Sequence, residues 1–166
     1  MKNYTYEQYL ADQEIADSLD FWQNRMHVPY ETAAKVCNGI GPSWFPEKIR
    51  TLVDKLNPKL IPVANNHDLG FYYGSLTKND FHRVNDAFRV NGEKVADDEW
   101  RKARKECKWY QAKLYLKYWE CHRIRRQAAV FAALCDTDLG WPAYAAAVNE
   151  RKENERKAKE EARDAD

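Results

Sequence analysis

Residues 63–92, VANNHDLGFYYGSLTKNDFHRVNDAFRVNG, decide how this chain folds. Val63 to Tyr73 has helical patterning and runs into Gly74, a residue type that commonly closes a helix. A short polar connection through Asn79 follows, and Asp80 to Val90 reads as a second helix that Asn91-Gly92 is expected to end. Two helices joined by so short a link pack as antiparallel neighbours. His67 and Asp68 stand side by side inside the apolar first helix. Both are costly to bury unless they are paired or bound to a cation. Consecutive helical side chains point about 100° apart, so these two open into adjoining compartments, one suited to a substrate and one to a metal.

Towards the N-terminus, Thr5 and Gln8 have capping-box spacing ahead of Tyr9, Leu10, Ile15, Ala16, Leu19 and Trp22. This predicts a helix over about residues 5–24, closed by His27 to Pro29. The next segment is dense in breakers: Asn38, Gly39, Gly41, Pro42, Pro46, Asn57, Pro58 and Pro62. Within it Glu47 to Leu56 reads as one short helix, with Pro46 at its first turn and Ile49, Leu52, Val53 and Leu56 on one side.

Towards the C-terminus, Ala103, Cys107, Tyr110, Leu114, Lys117, Cys121, Ile124, Ala128, Phe131 and Cys135 alternate spacings of four and three, with Lys117 the one polar exception. The stripe predicts a long helix over about residues 98–136, whose seam packs on its own domain or on another copy. Gly140 and Pro142 reset the chain, and Trp141, Tyr144, Ala147 and Val148 begin a last helix. Residues 150–166 are almost wholly charged and read as a solvated helical tail. With neither a repeat nor a strand pattern, the expectation is an all-α protein: one helical domain over residues 1–149 and the charged tail.

The 166 residues, 44% hydrophobic with 6 Trp and 10 Tyr, suffice for one core. A net charge of +1 gives no global field that would make nucleic acid the default partner. No apolar run has the length of a signal-peptide core or approaches the roughly 20 residues needed to cross a bilayer, so neither signal-directed secretion nor a transmembrane span is expected. Cys37, Cys107, Cys121 and Cys135 lack zinc or redox spacing. The last three would lie about 21 Å apart along one helix, too far to bridge. They read as small buried apolar residues in a reducing compartment.

The segment Cys37-Asn38-Gly39-Ile40-Gly41-Pro42 supplies what a metal beside Asp68 would need. Glycines let a turn aim its carbonyls at one centre, and calcium takes carbonyl and carboxylate oxygens at flexible geometry. This loop with Trp44-Phe45-Pro46, then His67-Asp68, Gly74 and the helix carrying Phe88, resembles phospholipase A2, and more closely its compact bacteriophage and parvovirus capsid relatives. The resemblance covers about residues 30–92 and, more faintly, Gly140-Trp141-Pro142. It implies an antiparallel helix pair with a calcium-type loop, here extended by long N- and C-terminal helices.

It also implies roles. His67 would be the general base that activates water, and Asp68 would hold calcium with the backbone carbonyls of Cys37, Gly39 and Gly41. The ion would polarise the ester carbonyl and stabilise the oxyanion. Two positions depart from the pattern. The family's Tyr four residues after the His is Phe71, and its second carboxylate, three before Phe88, falls on Asn85. Asn85 shares a face with Phe81, Val84 and Phe88, whereas Asp86 points about 100° further round and would restore the dyad only if the helix were rotated or bulged.

Trp44 and Phe45 read as core residues, or else as contacts with a lipid interface. His27, His82 and His122 read as surface or capping residues. Lys102, Arg104, Lys105, Lys108, Lys113, Arg123, Arg125 and Arg126 make the long helix locally basic, read as a solvated face laced with acids. The leading expectation is a calcium-dependent phospholipase A2-like hydrolase of phage origin acting on phospholipid or a membrane surface, in a virion or in host cytoplasm. The alternative is a catalytically weak or inactive virion scaffold that keeps the fold and assembles with itself or other virion proteins through its long helix. Nucleic-acid binding ranks last.

Overall fold

Thr5 opens the first helix as its spacing predicts: its N–H donates to Gln8 Oε1 at 3.0 Å and its Oγ1 accepts from the Gln8 N–H at 3.2 Å. In the computed structural model, which describes residues 4–16, 19, 28–40, 46–106 and 112–164, this helix is α1 (Tyr6–Ala16). Of its expected extension to residue 24 only Leu19 lies among the described residues, and it is buried there. The other elements are α2 (Tyr30–Val36), α3 (Glu47–Leu56), a 3-10 turn (Pro58–Leu60), α4 (Ile61–Tyr73), α5 (Lys78–Glu106), α6 (Ala112–Cys135) and α7 (Gly140–Asp164). The described residues are all-helical, with no strand among them. Sequence patterning did not reveal α2, a single pair of turns starting behind Pro29.

α4 and α5 pack as the antiparallel pair their connection requires: His67 meets Phe88 and Phe71 meets Phe81. α5, however, does not stop at Asn91-Gly92 but continues to Glu106. Gly92 is there for close packing, since a Cβ on it would collide with the Cβ of Ala128 on α6. The single helix expected over residues 98–136 is also corrected. Its residues divide between the end of α5 and α6, which run in opposite directions with Asn85 against Asp136, Phe88 against Phe131, Asp97 against Arg125 and Trp100 against Tyr118.

On α6 the predicted stripe survives as the buried Leu114, Cys121, Ile124 and Ala128; towards its end Phe131 and Cys135 are half-buried, and the buried position is Ala132, which the stripe does not include. Most of that seam joins Leu60, Val63, Ala64, Phe88 and Ala96 in one cluster, so it is spent inside the domain. Lys117, the exception, bonds Glu120 at 2.9 Å and pairs with Glu99 at 3.0 Å, while Lys59 from the 3-10 turn pairs with the same two acids. Cys37, Cys121 and Cys135 are free, the first two buried. Because α5 and α6 are separate helices, the distance expected between Cys107 and Cys121 along one helix no longer applies, and Cys107 lies outside the described residues.

α7 packs on α4, with Tyr144 and Val148 fully buried beside Phe81 and Phe71. Gly74 ends α4 in an extended conformation (φ −63°, ψ 166°), not the left-handed one a closing glycine usually supplies. Its lack of a side chain serves Tyr144, whose ring and hydroxyl would clash with any Cβ there. Beyond Glu150, α7 carries the charged tail as helix, where Arg156 bonds Glu153 at 2.8 Å and Glu160 at 2.5 Å. No helix among the described residues is long and apolar enough to cross a membrane.

Candidate functional site

α4 buries an exceptional set of polar side chains for its length: Asn65, Asn66 and His67 are each under 6% exposed. Such groups are costly to bury without partners; among the described residues Asn65 and His67 have theirs, whereas Asn66 Nδ2 is buried without one. The His67 ring lies between Phe71, with centroids 4.3 Å apart, and Phe88 at 5.4 Å in an edge-on contact. Its Nε2 is 2.8 Å from Asn85 Oδ1. Its Nδ1 lies 4.0 Å from Asp68 Oδ1. Phe71, standing where the resemblance expects Tyr, touches His67, Phe81 and Tyr144 through its ring.

Asn85 is the inward partner, as its helical face predicts, and is 1% exposed. The alternative, Asp86, is corrected: its side chain is 61% exposed and bonds Arg89 at 2.8 Å. α5 is neither rotated nor bulged at this point, so Asp86 makes no dyad with His67. Asn85 Nδ2 donates instead to Asp136 Oδ1 at 3.0 Å. Asp136 sits just past the end of α6, and the same oxygen is 2.7 Å from Nδ1 of His82. Sequence reading missed Asp136 because it belongs to no motif and lies 51 positions from Asn85. The one available signal was Asn85 itself, an amide placed where an imidazole needs an oriented partner.

The glycine turn does come to Asp68. The Asn38 N–H donates to Asp68 Oδ2 at 3.0 Å, and the Ile40 N–H donates to the buried Asp54 Oδ1 at 2.9 Å. Gly39 holds φ +87°, and a Cβ there would fall 2.8 Å from Asp54 Oδ2, so both backbone and space call for glycine. The direction of this first bond decides the metal question for Cys37. All described peptide bonds are trans, so the carbonyl of Cys37 points opposite to the Asn38 N–H and therefore away from Asp68. Cys37 thus does not fit the calcium ligand role expected of it. Gly39 is at the turn, and Gly41 lies outside the described residues with Trp44 and Phe45.

Cys37 is instead a buried thiol whose Sγ lies 3.5 Å from the Asn65 carbonyl. Burial pushes its pKa up, with the charges of Asp68 and Asp12 adding to the effect. Burial likewise pushes Cys135 up to about 12, helped by Asp68 and Asp136. In both the shift favours the protonated thiol, as in structural buried cysteines. Beside the turn, Asp12 Oδ2 accepts from Tyr4 at 2.5 Å and from Asn65 Nδ2 at 2.7 Å, tying α1 to α4.

Elsewhere the expected solvated face holds among the described residues, Lys108 lying outside them: Arg125 pairs with Asp97, and Lys102 with Glu99 at 4.0 Å. His122 stacks on Trp119 at 6.0 Å, and His27 lies outside the described residues. His82 is exposed as expected, but it has a definite partner in Asp136. Among the described residues, no three His, Cys, Asp or Glu side chains gather as a metal cluster. Compared with known proteins, the chain matches no family model, no curated protein and no solved structure.

Proposed function

We propose that this chain is a phospholipase A2-like protein in which His67 acts as general base on a water that attacks a phospholipid acyl ester, giving a lysophospholipid and a fatty acid. The observation that carries the reading is the oriented ring. Nε2 is engaged by Asn85 at 2.8 Å, so Nδ1 is the edge that carries a lone pair, and that edge faces the Asp68 side of the site. His67 thus accepts a proton at Nδ1 while α4 and α5 fix the ring between Phe71 and Phe88. The antiparallel pair, the approach of the glycine turn to Asp68 and the placing of Asn85 all support the same reading.

Calcium belongs to the proposal through Asp68 and the carbonyls of Gly39 and Gly41. It would supply Lewis-acid stabilisation of the oxyanion when bound. Cys37 is left out of that set, because its peptide presents the opposite pole to the carboxylate. The test is release of fatty acid from phospholipid vesicles. Hydrolysis that requires calcium and is abolished in His67→Ala is the expected result. Calcium binding by calorimetry that persists unchanged in Asp68→Asn would remove the metal from the mechanism.

A second reading, a virion scaffold that keeps the fold without the reaction, is favoured by one specific observation. His67 is only 5% exposed, and among the described residues the partner at its Nε2 is the neutral amide of Asn85 and not a carboxylate. It predicts no fatty-acid release at any calcium concentration, together with a stable higher oligomer in light scattering.

A further inference from the structure

The structure assigns to Asp136 the task of holding His67 in its Nε2–H tautomer through the Asn85 amide; the inference rests on the reading of His67 as a base and adds a positioning residue to it. An asparagine beside an imidazole is ambiguous, because its amide can turn over and offer either an acceptor or a donor. In a serine-protease triad, replacing the orienting Asp by Asn leaves the geometry intact and selects the wrong tautomer, at a cost of about four orders of magnitude in turnover. Here the ambiguity is removed from outside. A carboxylate only accepts, so Asp136 Oδ1, 3.0 Å from Asn85 Nδ2, fixes which end of the amide is the NH2. The other end, Oδ1, must then face His67 at 2.8 Å as an acceptor, and Nε2 must carry the proton. Nδ1 is left as the acceptor edge.

The amide is polarised from both sides, accepting at one end and donating to a charge at the other, and such chains strengthen each member. Asp136 thus stands one residue further out than the carboxylate the sequence pattern leads one to expect, and Asn85 spans the gap. His82 completes the arrangement. Its Nδ1 lies 2.7 Å from the Asp136 oxygen that Asn85 also uses, so that His82 donates there and pins the carboxylate at the surface end.

The test is the 15N spectrum of the histidine rings, recorded where His67 is neutral, which distinguishes a protonated from an unprotonated ring nitrogen. The parent protein is expected to show His67 as Nε2–H. Asp136→Ala frees the amide to turn, and the proportion of Nδ1–H should rise about fivefold, the ratio that loss of one orienting hydrogen bond implies. Asp136→Glu should restore much of the parent pattern, and His82→Ala, which frees the carboxylate at its surface end, should shift it in the same direction as Asp136→Ala but by less. If Asp136→Ala does not fold, Asp136→Ser carries the same expectation. An Nδ1–H ring in the parent, or a tautomer ratio indifferent to loss of the Asp136 carboxylate, overturns the inference. This readout needs neither substrate nor calcium. An Nε2–H ring that responds to Asp136 in a protein releasing no fatty acid would uphold the relay and remove the hydrolase reading.

Discussion

The α5–α6 hairpin and the surroundings of α4 are stabilised by different physics. The hairpin closes on Phe88, Ala96, Cys121, Ile124, Ala128 and Ala132, an apolar seam whose cohesion is non-directional and proportional to area. Around α4 the fold buries Asp12, Asp54, Asn65, Asn66, His67 and Asn85, whose contributions depend on direction and on every partner being present. A seam tolerates changes in side-chain identity and punishes changes in volume. A polar knot tolerates little, and what it yields in return is orientation: one tautomer, one face of an amide, one pose for the glycine turn.

The contrast is sharpest if the seam is emptied. Leu60, fully buried, reaches from the 3-10 turn to Gly92 at the crossing of α5 and α6. Leu60→Ala should lower the unfolding free energy by about 2–5 kcal/mol in urea titration. A loss below about 1 kcal/mol would mean that the site collapses freely and the seam is loosely packed. Overfilling the same crossing should cost about 1–3 kcal/mol in Gly92→Val, because the new side chain meets Ala128. Combining it with Ala128→Gly should recover part of the loss, and strict additivity of the two would deny their contact.

These two regions were also unequally legible in the sequence. The capping box at Thr5 and Gln8, the bounds of α3, the helical reading of 63–73 and the inward face of Asn85 follow from local rules that the packing leaves undisturbed. The hairpin was misread at both ends for one reason. Asn91-Gly92 is a strong local stop, but tertiary packing uses its glycine for close approach to Ala128, and α5 runs through it. Between Glu106 and Ala112 there is neither Gly nor Pro, and the four-and-three spacing continues across, so periodicity cannot register that α6 returns in the opposite direction. At the site, the turn and Asp68 were found by residue type, whereas the sense of the Asn38 peptide, which turns Cys37 away, and the arrival of Asp136 are facts of three-dimensional direction that residue types do not encode.

The polar knot should respond to loss of a partner and not of volume. Asn85→Ala leaves the His67 Nε2–H and a lobe of Asp136 without their bonds, at an expected cost of about 1–3 kcal/mol, toward the lower end because Asp136 is part exposed and water can replace one bond. Asn85→Leu, which fills the volume but restores no partner, should be no better than Ala in chemical denaturation. A Leu variant as stable as the parent would show that His67 needs no acceptor, and the distinction between seam and knot would fail at its most buried position.

The smallest effect is expected where the knot meets the surface, at Asp80. Its Oδ2 accepts the Ser75 N–H at 2.7 Å and the Tyr144 hydroxyl at 3.1 Å, while Oδ1 takes the Arg83 guanidinium, so one carboxylate clasps the α4–α5 connection to α7. Burial alone would raise its pKa, but the Ser75 amide, Arg83 and Tyr144 outweigh it and hold the carboxyl below its ordinary 3.8. A carboxylate depressed in the folded state adds stability that is fully present above its unfolded pKa and disappears as pH falls through the folded one. Asp80→Asn should therefore be less stable than the parent at neutral pH by about 1 kcal/mol, the scale of an ion pair whose partner, Arg83, is exposed to solvent. Below the ordinary carboxylate range the parent should lose stability more steeply than the variant, so that the two converge in strong acid. Stability curves that stay parallel well below pH 3.8 would mean that this carboxylate is no more strongly held in the folded chain than in the unfolded one, and that the clasp acts through shape alone.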